Sequence, residues 1–65
     1  QLAKKKKSYN DLKLLAQTHY NLAITYAKMQ LMKAAMEDAQ HAYNLIPNKD
    51  YRELMILIEQ KLMNQ

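Results

Sequence analysis

Two features of this 65-residue sequence predict an all-α fold. The chain contains no glycine and only one proline, so the residues that most often interrupt helices are almost absent. In its first half, hydrophobic side chains recur at steps of three and four residues, which is the spacing of one helix face. We therefore expect an antiparallel helical hairpin over 10–48 and a third, capping helix over 49–65.

The first helix of the predicted hairpin carries one apolar stripe. Its members are Leu12, Leu15, His19, Leu22, Tyr26 and Met29. Alanines beside the stripe, at 16, 23 and 27, permit close approach of a neighbouring helix. Ser8 to Asp11 have N-cap and turn chemistry, which makes 1–9 the tail of a preceding helix or a basic linker. A single unbroken helix from Leu2 to Met29 is the alternative.

The second predicted helix begins at Met32 or Lys33 and ends at Leu45. A row of small residues lies along it, flanked by larger apolar side chains. The row is Ala35, Ala39 and Ala42, and the flanking residues are Met36, Tyr43 and Ile46. Pro47 ends the helix because it disfavours the α conformation at the preceding residue and has no N–H to donate.

The third predicted helix begins with the spacing of a capping box, Asp50-x-x-Glu53, with Asp50 as the cap. The face expected to close over the hairpin consists of Tyr51, Met55, Ile58 and Leu62. Positions 54–58 are all apolar, which is more than one hairpin can cover. We therefore predict an interface with another chain, or with more of the same protein, at Leu54, Ile56 and Leu57.

The segment Ala16–Asn48 resembles a tetratricopeptide repeat (TPR), a helix pair of about 34 residues with the signature W-x2-L-G-x2-Y, A-x3-F and P. The signature residue types are kept at Leu22, Tyr26, Ala35 and Pro47. His19, Ala23 and Ala39 replace the tryptophan, the glycine and the phenylalanine. The turn near 30–32 also lacks the usual Gly-Asp or Gly-Asn. The resemblance implies one complete repeat and a capping helix, a fragment of an α-solenoid.

In proteins that this repeat resembles, the first helix lines a concave groove that holds a peptide. The matching positions are Gln17, Tyr20, Asn21, Ile24 and Lys28. Asn21 coincides with an asparagine of the carboxylate clamp in chaperone-binding TPR domains. That clamp also needs a lysine and an arginine, and Tyr51 and Met55 stand at those positions. We therefore expect a peptide groove but no clamp.

No pattern in the chain indicates an enzyme, a cofactor site or a metal site. His19 and His41 are far apart in sequence, cysteine is absent, and glycine-rich phosphate loops are excluded. His19 stands at an aromatic position of the signature and is interpreted as a packed, hydrogen-bonded core histidine. His41 is interpreted as a surface residue.

Charge and hydropathy exclude two classes of partner. The net charge of +4 equals the charge of the run Lys4–Lys7, so the rest of the chain is balanced. Four consecutive lysines point all round a helix and form no basic stripe, so we expect no nucleic-acid binding. Neither a membrane-spanning run of roughly 18 apolar residues nor a signal peptide is present, and we expect a cytoplasmic protein without membrane contact.

Three functions fit these observations. The favoured one is a non-enzymatic protein-interaction module, the C-terminal part of a larger TPR protein that binds a peptide or a partner helix. The second is a self-associating segment that forms a homo-oligomer. The third is the sensor end of a peptide-regulated bacterial regulator.

Overall fold

The computed structural model describes residues 8–64 and contains three helices. These are α1 (Tyr9–Lys28), α2 (Met32–Leu45) and α3 (Lys49–Met63). α1 packs along α2, and α2 packs along α3. The prediction of an all-α chain with a hairpin and a third helix is confirmed.

The start of α1 is fixed by Ser8, whose backbone is extended. Its Oγ accepts a hydrogen bond from the backbone N–H of Asp11 at 3.2 Å. This bond satisfies one of the unpaired amides in the first turn. The extended Ser8 excludes the alternative of one unbroken helix through this point. The expected tail of a preceding helix lies mostly outside the described residues.

The connection between α1 and α2 closes α1 with two backbone hydrogen bonds. The N–H of Leu31 donates to the carbonyl of Tyr26 at 2.9 Å, and the N–H of Gln30 donates to that of Ala27 at 3.0 Å. This pair of bonds is the Schellman motif, which requires a left-handed residue after the helix. Gln30 takes that conformation, with φ of 66°. The turn thereby forms with ordinary residues and without glycine.

The start of α3 differs from the prediction. The N-cap is Asn48, whose side-chain oxygen accepts a hydrogen bond from the N–H of Asp50 at 2.7 Å. Asp50 is already inside the helix and contributes its negative charge to the first turn, where the helix dipole favours it. The prediction of Asp50 as the cap is therefore wrong, because the N-cap lies two residues earlier, at Asn48. The predicted start of the helix at 49 is correct.

Alanine rows form the centre of the α1–α2 contact. The fully buried alanines are Ala16 and Ala23 on α1 and Ala35, Ala39 and Ala42 on α2. Because these side chains end at Cβ, the two helices can approach closely. The predicted small-residue row of the second helix is confirmed.

The predicted apolar stripe of the first helix is not centred on this contact. Three members of the stripe are exposed, namely Leu15, Leu22 and Met29. The other three are half-buried, namely Leu12, His19 and Tyr26. Successive helical residues are about 100° apart, so burying Ala16 turns Leu15 by about a quarter turn away from α2. The alanine row of α2 is a flat surface, which packs more closely against the alanines of α1 than against its leucines.

α3 packs along α2 and closes the core that α1 and α2 form. Ile58 is fully buried and packs with Ala23, Met32, Ala35 and Ala39. The side chains of Tyr51, Met55 and Leu62 are half-buried on the same face, so the predicted inward face of this helix is confirmed. Met36 of α2 packs against the same cluster.

Candidate functional site

A groove lies between α1 and α3, and it begins at a pair of tyrosines. The rings of Tyr20 on α1 and Tyr51 on α3 have their centroids 4.8 Å apart and are tilted by 38°. Aromatic pairs favour such separations and inclined arrangements. The pair joins the first and third helices, which otherwise contact each other little.

The α1–α3 groove encloses about 140 Å³. It is lined by Tyr20, Asp50, Glu53, Leu54 and Leu57. Two regions predicted as separate sites therefore meet here. Tyr20 comes from the predicted peptide groove, while Leu54 and Leu57 come from the predicted interface.

The remaining predicted groove residues continue along α1 from Tyr20. Gln17, Asn21 and Lys28 are exposed, and Ile24 is half-buried, as is Tyr20 itself. Positions three and four apart lie next to each other on a helix surface. Tyr20 and Ile24 are therefore only partly open to solvent, while the polar residues beside them are exposed.

The three residues of the predicted interface do not form one surface. Leu54 is half-buried and packs against the core, so the expectation that it faces outward is wrong. Ile56 and Leu57 are 43% and 55% exposed. They are adjacent in a helix and point about 100° apart, so that only Leu57 opens into the α1–α3 groove.

Asp50 and Glu53 were not predicted as site residues. They reach the groove because α3 lies beside α1 with Tyr51 level with Tyr20. How far α3 is shifted along α1 cannot be predicted from the spacing of apolar residues within either helix.

The electrostatic environment of this end of the groove is negative. Burial raises the pKa of Tyr51 above its ordinary value of 10.0, and the neighbouring Tyr20, Asp50 and Tyr9 raise it further. Each neighbour acts when it is ionised, because an anion near an ionising phenol disfavours the phenolate. At neutral pH the tyrosines are uncharged, so the negative charge at this end comes from the carboxylates of Asp50 and Glu53.

A second polar cluster lies on the α1–α2 surface. Nδ1 of His19 is 2.9 Å from Oδ1 of Asp38, and the His19 ring stacks on that of His41 at 5.1 Å. His41 is exposed, as predicted. His19 is hydrogen-bonded but lies at the edge of the helix contact, so its interpretation as a core residue is wrong. Among the described residues no cluster of three potential ligands is arranged to hold a metal ion.

A wider depression of about 330 Å³ lies at the opposite end of the molecule. It is lined by Gln30, Leu31, Met32, Lys33, Ala34 and Leu62. Lys33 is its only charged side chain, and no predicted site residue reaches it. The α1–α3 groove is smaller, but it combines apolar, aromatic and charged groups, as binding sites generally do.

Helices within residues 8–64 are either too short or too polar to cross a membrane. No family model, curated protein or solved structure matches the chain.

Proposed function

We propose that this chain is a non-enzymatic module that binds a peptide or helix of a partner protein in the α1–α3 groove. One observation carries the proposal: Tyr20 and Leu57, from different helices, line the same open groove. Leu57 is 55% exposed and lies outside the core cluster. A partner side chain that covers it would remove apolar area from water, worth roughly 25 cal/mol per Å².

The resemblance to TPR repeats supports the same proposal, because the exposed Gln17, Asn21 and Lys28 follow the groove along α1. Polar side chains beside an apolar pocket can fix the orientation and register of a bound peptide. We place the module in a larger cytoplasmic TPR protein as part of this proposal.

Selection of peptides from a random display library against the isolated chain tests the proposal. Selected peptides should bind wild-type protein and lose at least tenfold in affinity with Leu57→Glu. Ile56→Glu is the matched control, because it places the same charge on an exposed position of the same helix outside the groove. Peptides that tolerate Leu57→Glu but not Ile56→Glu would contradict the groove as the binding site.

Self-association is a second candidate, and the α1 flank favours it. This flank consists of Leu15, Leu22 and Met29, which are exposed and seven residues apart. Such spacing matches one of the two apolar positions of a coiled-coil heptad, a stripe that another helix can cover. We therefore propose that a second copy, or another helix of a longer TPR array, packs on this flank.

Light scattering at several concentrations tests this second candidate. A dimer that Leu22→Lys converts to a monomer would support self-association, with the exposed Asn44→Lys on α2 as the control. A wild-type chain that stays monomeric at the highest concentration would contradict it.

A further inference from the structure

The α1–α3 groove has an acidic end formed by Asp50 and Glu53, which lie one turn apart on α3. Both side chains are exposed. Within residues 8–64 the only contact between a basic and an acidic side chain is His19–Asp38, so neither carboxylate has a cationic partner there. The helix dipole places roughly half a positive charge at the first turn of α3. This is less than the two negative charges of Asp50 and Glu53, so a net negative charge remains.

The rest of the groove is apolar. Leu54 and Leu57 provide an aliphatic wall, and Tyr20 contributes an aromatic ring. Apolar walls beneath a pair of carboxylates suit a side chain that has a methylene stem and a cationic head. A volume of about 140 Å³ admits one such side chain and not a whole helix.

We propose that the peptide bound by the α1–α3 groove inserts one arginine or lysine side chain. Its stem lies on Leu54 and Leu57, and its cationic head contacts Asp50 and Glu53. The ring of Tyr20 adds a cation–π contact when the head passes over its face. The inference rests on the function proposed above and specifies the chemical class of the ligand.

Titration of the isotope-labelled chain, followed by NMR, tests this inference with three blocked peptides that differ only at the central residue. The central residue is arginine, norleucine or glutamate. The arginine peptide should shift the amide signals of Tyr20, Glu53 and Leu57 and should bind about fivefold more tightly than the norleucine peptide, as expected for about 1 kcal/mol from an exposed ion pair. Added salt should reduce this advantage.

The double variant Asp50→Asn, Glu53→Gln should bind the arginine and norleucine peptides equally. Glu59→Gln is the matched control, because it removes an exposed carboxylate from another side of the same helix, and it should preserve the preference. Thermal melts of all variants establish that each one is folded.

Two results overturn the inference. If arginine and norleucine peptides bind the groove equally well, the cationic ligand is wrong while the groove remains a binding site. If the arginine peptide shifts no groove amide, the inference also fails, and the display selection with Leu57→Glu decides separately whether the groove binds any peptide.

Discussion

Nδ1 of His19 on α1 lies 2.9 Å from Oδ1 of Asp38 on α2. This contact joins the two helices beside their alanine rows. The side chains are 25% and 17% exposed, so the contact is sheltered from solvent but not buried. It is a polar link at the edge of an otherwise apolar helix contact.

The His19–Asp38 contact should be measurable in a double-mutant cycle. Changing each residue to alanine, singly and together, should give a coupling free energy of about 0.5–1 kcal/mol, as for a partly exposed polar pair. His19→Asp should be less stable than His19→Leu, because it brings two carboxylates together, and Asp38→Asn should restore much of that loss. Urea unfolding measures each value. Zero coupling, or equal stability of His19→Asp and His19→Leu, would contradict the observed contact.

Gln30 occupies the left-handed position after α1, so Gln30→Gly should stabilise the protein. A non-glycine residue in this conformation costs roughly 1–2 kcal/mol, while glycine loses about 0.5–1 kcal/mol more entropy on folding. We expect a net gain of about 0.5–1 kcal/mol in the free energy of unfolding. Gln40→Gly, in the exposed middle of α2, should lose about 1 kcal/mol. If both glycines destabilise equally, Gln30 is not left-handed in solution.

Asn48, rather than Asp50, should behave as the N-cap of α3. Asn48→Ala should cost about 1 kcal/mol, since it leaves an amide in the first turn without its side-chain acceptor. Asp50→Ala should cost less, because only the interaction of its charge with the helix dipole is lost. Thermal unfolding of the two variants compares them directly. A larger loss for Asp50→Ala would favour the capping box predicted from the sequence.

Tyr51 should contribute to the free energy of unfolding at neutral pH and should lose this contribution at high pH. Its pKa in the folded chain is raised above 10.0, chiefly by burial, so the unfolded chain releases this proton at lower pH than the folded chain does. The stability that this difference provides is complete below the unfolded pKa and is lost as pH rises through the folded pKa. Unfolding free energy should therefore fall less steeply above pH 10 in Tyr51→Phe than in the wild type.

Tyr43→Phe is the control for that experiment, because Tyr43 lies on α2, outside the Tyr20–Tyr51 pair. It should keep the steep alkaline decline of the wild-type chain. Equal slopes for the wild type and Tyr51→Phe would show that Tyr51 ionises alike in both states.

The helix boundaries were largely readable from the sequence, because single residues set them. Ser8 supplies a cap for α1, and Pro47 prevents α2 from continuing. The small-residue row of α2 and the inward face of α3 also followed from periodicity alone. Each of these predictions depends on one helix and its ends.

The face of α1 that packs against α2 could not be predicted in the same way. Its leucine stripe is more hydrophobic than its alanine row, yet Ala16 and Ala23 are buried and Leu15 and Leu22 are exposed. Which face of a helix is buried depends on the surface of its neighbour, and α2 offers a flat row of alanines. The contribution of Asp50 and Glu53 to the groove depends on how α3 is aligned with α1, which no single-helix pattern encodes.

Amide shift mapping with the tightest display-selected peptide tests whether the α1–α3 groove is the binding site. We expect the largest shifts on Tyr20 of α1 and on Leu57 of α3, which line the groove from its two sides. We also expect small shifts at Leu15 and Leu22. Shifts concentrated on the α1 flank, with Tyr20 and Leu57 unchanged, would contradict the groove as the functional site.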